Sequence, residues 1–147
     1  MKKALSLFAL TLSAIVLVAC GGSSSSSTST TVSCGPGTGF AGGGGQTLKL
    51  SADASGARKY NTNSLTADKP GKVTIDFNNP SSNCHDLAVK DPAGKLYGVS
   101  DRIKNGKTSL KLNLKPGKYF YYSTVPGDKS STVPGPTSGM IGTLTVK

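Results

Sequence analysis

The chain has 147 residues, 35% of them hydrophobic, with 17 Lys and Arg against 7 acidic residues and a formal net charge of +10. That length suits one domain plus a tail. The basic residues are scattered from Lys49 to Lys147, with no run of five and no helical period to gather them on one face, so composition argues against a nucleic-acid-binding protein.

Lys2 and Lys3 precede an apolar run from Ala4 to Val18, which closes on Leu17-Val18-Ala19-Cys20. The run has 15 residues, short of the roughly 20 that span a bilayer as a helix. A basic segment, a greasy segment and small residues before a cleavage point have the anatomy of a secretory leader. Ending on Cys20, it resembles a bacterial lipoprotein signal. The resemblance implies a leader over residues 1–19, lipidation of Cys20, export, and tethering to a membrane on its periplasmic or cell-surface side. Loss of Lys2 and Lys3 with the leader takes the formal charge from +10 to +8.

Gly21 to Thr31 is almost pure Gly, Ser and Thr, and a second Gly-rich piece runs from Cys34 to Gly45. Such composition buries too little apolar surface to offset ordering entropy. Residues 20–45 are therefore expected to form a disordered linker, spanning about 28 Å as a coil.

From Gln46 onward the pattern has a period of two. Leu48 and Leu50, then Val73, Ile75 and Phe77, then Leu87 and Val89, Leu110, Leu112 and Leu114, and finally Leu144 and Val146 each alternate with other residues. This is the signature of strands with one buried and one wet face. Turn signals separate them: Pro70-Gly71, Pro92-Ala93-Gly94, Asn105-Gly106, Pro116-Gly117 and Pro126-Gly127. In the aromatic run Tyr119 to Tyr122, alternate members face opposite sides, so two of the four are expected inside. The expected architecture is an all-β, Greek-key β-sandwich over residues 46–147.

Three segments of this domain carry a second resemblance: Val73 to Asn79 with His85-Asp86-Leu87, Leu114 to Tyr122 through Pro116-Gly117-Lys118-Tyr119, and Thr124 to Gly127 followed by Gly139-Met140-Ile141-Gly142-Thr143-Leu144-Thr145-Val146. Together they resemble the cupredoxins of the plastocyanin/azurin group. The resemblance implies a single copper held by two histidines, a cysteine thiolate and a weak axial methionine, a set that suits both copper oxidation states. His85 falls at the first histidine position and Met140 at the methionine position. Ser123 stands where the family has cysteine and Asp128 where it has the second histidine, and about eight extra residues, 130–137, precede Gly139. His85 is the only histidine. A neutral hydroxyl cannot supply thiolate charge transfer, and a carboxylate oxygen disfavours Cu(I).

Two readings of His85 follow: a loop held by hydrogen bonds, or a weak copper or zinc site from His85, Asp128, Ser123 and Met140. Cys84 adjoins His85, and neighbours on extended backbone point to opposite faces, so it is not expected to replace the lost thiolate. Cys34 and Cys84 are expected to form a disulfide in an oxidising compartment; two free thiols, or pairing with another chain, are the alternatives. The sequence thus points to a tethered module without redox copper or other cofactor, and not to an enzyme. A copper binder or electron carrier with a modified site is the alternative. The expected partners are the membrane through Cys20 and an unknown protein; the basic charge suits a solvated surface, with attraction to anionic lipid headgroups or to an acidic partner as the alternatives.

Overall fold

The computed structural model describes residues 33–128 and 139–147. Cys20, the leader and the inserted stretch 130–137 lie outside the described residues. Eight strands and no helix occur within them: β1 (Gln46–Ser51), β2 (Ser64–Ala67), β3 (Gly71–Asn79), β4 (Ala88–Lys90), β5 (Leu96–Val99), β6 (Gly106–Leu114), β7 (Gly117–Tyr122) and β8 (Ile141–Val146). A three-stranded sheet has the order β1-β3-β6, and a five-stranded sheet the order β2-β8-β7-β4-β5. Both are mixed: β1 runs parallel to β3 and β2 to β8, while the other pairs are antiparallel. The result is the two-sheet sandwich that the alternating pattern implies.

Leu50, Val73, Ile75, Phe77, Leu110, Leu112 and Leu114 from the smaller sheet meet Ala67, Val89, Tyr119, Tyr121, Leu144 and Val146 from the larger. Each is an alternate residue of its strand, which is why one face of each sheet is apolar. Tyr119 and Tyr121 are buried, while Phe120 and Tyr122 are half-exposed. Tyr121 lies across Gly142 on β8, where an added Cβ would come within 2.1 Å of the tyrosine Cζ. Two strands that the pattern did not reveal, β2 and β5, form the outer edges of the larger sheet. The β3–β6 register defines the two ends of the sandwich. Asn79 pairs with Gly106 at one end, and Gly71 with Leu114 at the other.

Residues 34–45 depart from the expected coil. Gly35 N donates to Arg102 O, Gly39 N to Lys107 O and Ala41 N to Ser109 Oγ, while Lys104 N donates back to Gly35 O. The segment is a strap along the free edge of β6 that continues over β3. Absence of side chains, read from the sequence as a reason for disorder, is here what allows contact. A Cβ on Gly37 (φ +78°) would sit 2.2 Å from Lys107 O, and one on Gly43 2.1 Å from Thr74 Oγ1. Thr74 points away from the core yet is only 2% exposed, because the strap covers it.

The strap begins at a disulfide: Cys34 and Cys84 are bonded, with Cα atoms 6.0 Å apart and a sequence separation of 50. Closing a loop of that length removes unfolded-state entropy worth about 4 kcal/mol. Replacing both cysteines by serine should therefore lower the unfolding free energy in urea by about that amount. Hydrogen exchange should show the amides of Gly35 and Gly39 losing protection before those of β3.

Candidate functional site

His85 lies at the Asn79 end of the sandwich. Its backbone is fixed by a two-bond bridge to Ile103: His85 N donates to Ile103 O at 3.0 Å, and Ile103 N to His85 O at 2.9 Å. The loop before it is shaped by buried Asn79, whose Nδ2 donates to Asn83 O and Ile103 O and whose Oδ1 accepts from Ser81. Cys84 is partly exposed in its disulfide, whereas His85 is 1% exposed. The two neighbours thus take opposite sides, as extended backbone requires.

Ser123 follows β7 directly, and Asp128 ends the turn that follows, closed by Asp128 N donating to Val125 O at 3.1 Å. Met140 precedes β8 and links the two through backbone bonds. Ser123 N donates to Met140 O (3.0 Å), and Met140 N to Asp128 O (2.9 Å). The structure brings all four positions together at this end, each nine-tenths or more buried.

The side-chain bonding has one centre. Asp128 Oδ2 accepts from His85 Nδ1 at 2.7 Å and from the Ser123 hydroxyl at 2.6 Å. An ionised carboxylate only accepts, so the histidine proton is assigned to Nδ1. In the neutral imidazole Nε2 then carries the lone pair, and that atom is buried with no hydrogen-bond partner. Arg58 Nε stands 3.8 Å from Asp128 Oδ1, on a largely exposed side chain that adds little.

A second buried carboxylate, Asp86, was not singled out from the sequence. It accepts from the backbone N–H and hydroxyl of Thr124, from Arg102 Nη2 at 3.4 Å, and lies 3.2 Å from Ser123 Oγ. Its own carbonyl accepts from Tyr60 Oη at 2.8 Å. Burial, reinforced by the Asp86 and Asp128 charges, holds the Tyr60 phenol well above its ordinary range. Burial alone raises Tyr121, whose hydroxyl donates to Thr62 O. One signal for Asp86 was present in the sequence: an acid directly after the candidate histidine, at the start of an apolar run.

These donors do not make the copper set that the resemblance implies. The site offers one imidazole with its Nδ1 protonated, a carboxylate already accepting two bonds, a hydroxyl and a thioether. Cys34 and Cys84 are consumed by their disulfide. Among the described residues, no group of three or more His, Cys, Asp or Glu side chains is placed to hold a metal ion.

Deleting the central acceptor gives a direct check. Asp128→Ala leaves two buried donors unpaired and should cost about 3 kcal/mol of stability, with Asp128→Asn intermediate, measured by urea unfolding. The tyrosines give a pH check. Phenols ionise near pH 10 in the unfolded chain but later in the folded one. Their contribution is therefore present below about pH 10 and is lost as pH rises further. The urea midpoint should fall across that alkaline range, with Tyr60 and Tyr121 ionising only as the protein unfolds.

No protein-family model matches the chain. No curated protein matches it either. Solved structures do. Auracyanin A, a "blue" copper protein from Chloroflexus aurantiacus, superposes with a TM-score of 0.57 at 20% identity, covering 71% of this chain and 100% of that one. Auracyanin from Roseiflexus castenholzii gives 0.55 at 16% identity, over 71% and 99%. Rusticyanin from Thiobacillus ferrooxidans gives 0.52 at 17% identity, over 74% and 80%. At these identities the likeness speaks for the fold. The domain of this chain is cupredoxin-like, an all-β sandwich whose Asn79 end holds a histidine, a serine, an aspartate and a methionine.

Proposed function

We propose that this chain is an exported lipoprotein, tethered through lipidated Cys20, whose cupredoxin-like domain has exchanged its copper position for a buried hydrogen-bond cluster. It acts as a binding or structural module without redox chemistry. The observation that carries this reading is the double acceptance at Asp128 Oδ2. A blue copper centre needs a thiolate and two neutral imidazole nitrogens. Here Ser123 takes the thiolate's place and Asp128 the second imidazole's, and the Asp128 oxygen is engaged by hydrogen bonds from His85 and Ser123.

No enzymatic chemistry is assigned. Ser123, Asp128 and His85 are in contact, but serine and histidine both donate to the same carboxylate. In a serine–histidine relay the imidazole accepts the hydroxyl proton; here no base touches Ser123 Oγ except carboxylate oxygens.

One observation favours a second reading, weak copper binding at a modified site. His85 Nε2 is an unpartnered, buried lone pair in the same end of the fold as Met140. Titration with Cu(II) and Cu(I) separates the two. The proposed module should show no intense visible charge-transfer band, and its thermal midpoint should not move with copper. The double variant Ser123→Cys/Asp128→His, which restores the missing donor types, should gain a copper-dependent band. An intense band with stoichiometric copper in the wild type would establish the copper reading instead. Separately, Cys20→Ser should move the protein from the membrane fraction to the soluble fraction.

A further inference from the structure

Charge is distributed unequally between the two ends of the sandwich. At the Asn79 end three cations face acids: Lys59 Nζ lies 3.2 Å from Asp53, Arg102 3.4 Å from Asp86 and Arg58 3.8 Å from Asp128, while Lys107 stacks on Phe40 and Lys104 has no ion pair among the described residues. At the Gly71 end, the β2–β3 turn, the β4–β5 turn, the β6–β7 turn and the end of β8 converge. They place Lys69, Lys72, Lys95, Lys115, Lys118 and Lys147 there, all exposed, with Asp68 and Asp91 as the acidic side chains beside them. Lys147 pairs with Asp68 at 2.7 Å and Lys95 stacks on Tyr97. Lys69, Lys72, Lys115 and Lys118 have no ion pair among the described residues. Beside them a groove of about 510 Å³ is lined by Gly45, Gln46, Asp68, Lys69, Pro70 and Lys72.

We propose that this lysine pole is a docking surface for an acidic protein. Every cation in it is lysine, a hydrated point charge that favours salt-sensitive encounter over buried bidentate pairing. A cluster of unpaired positive charge raises the encounter rate with a carboxylate-rich surface, and salt screens it over about 10 Å. The preference for a protein over anionic lipid rests on the Cys20 anchoring reading. The chain enters the domain at Cys34, bonded to Cys84 beside His85, at the end opposite the lysines. Thirteen residues, Gly21 to Ser33, lie between Cys20 and that entry point. The nine-residue strands β3 and β6 run about 30 Å. An anchor at that end directs the pole away from the bilayer.

The test uses the lipidated full-length mature protein in phosphatidylcholine vesicles, with fluorescent poly-L-glutamate as the probe. Wild type should bind the probe in a salt-sensitive manner. Lys69→Glu/Lys115→Glu/Lys118→Glu should weaken binding at least tenfold. Lys49→Glu/Lys104→Glu/Lys111→Glu, with the same charge change elsewhere, should weaken it less than threefold. The matching Lys→Gln set reads the same contrast if the glutamate set fails to fold. Equal losses in the two sets would overturn the pole. Tighter capture of the Cys20→Ser protein by phosphatidylglycerol vesicles than by polyglutamate, through the same three lysines, would overturn the partner class. Wild type that fails to float with vesicles, yet still separates the two variant sets, would sink the anchoring reading while supporting the pole.

Discussion

The Asp128 carboxylate is the interaction on which this end of the molecule depends. A buried anion is tolerated only when hydrogen bonds replace the water it has lost. Asp128 Oδ2 obtains two such bonds, from His85 and Ser123. Those bonds set the imidazole tautomer, fix the serine rotor and tie the turn after β7 to the loop before β4. The backbone adds Met140, whose N–H and carbonyl bond to Asp128 and Ser123. What in a metal site would be done by ligand bonds is done here by protons on shared oxygen.

The support around that centre is itself polar and buried. Asp86 gathers Thr124, Arg102 and a Tyr60 hydroxyl through its carbonyl, and Asn79 shapes the loop that presents His85. Nearly every one of these groups has a partner, as a low-dielectric interior demands. His85 Nε2 and Arg102 Nε are exceptions among the described residues. The cluster is therefore organised around Asp128 and Asp86 and not around the imidazole.

How much of this could be read from the sequence differs by element. β3, β6, β7 and β8 show clear alternation because one face of each is packed on the core. β2 and β5 do not. Each has four residues at a sheet edge, and β5 leaves Leu96 and Val99 exposed, so the period-two signal is lost. Within the site, His85, Ser123, Asp128 and Met140 were legible through a resemblance, position by position. Asp86, Thr124, Arg102 and Asn79 were not, since hydrogen-bond support leaves no periodic trace. The Gly-rich strap gives no distinct signal because glycine permits both disorder and close approach, and only β6 beside it decides between them. The lysine pole was hidden too: its members are far apart in sequence and are gathered by turns.

The most direct measurement is a 15N–1H correlation spectrum of the His85 ring, with and without copper. If Asp128 holds this end together in place of a metal, His85 Nδ1 carries a slowly exchanging proton, Nε2 carries none, and copper leaves both signals in place. A deprotonated Nδ1 that broadens away with one equivalent of Cu(II) would contradict the account.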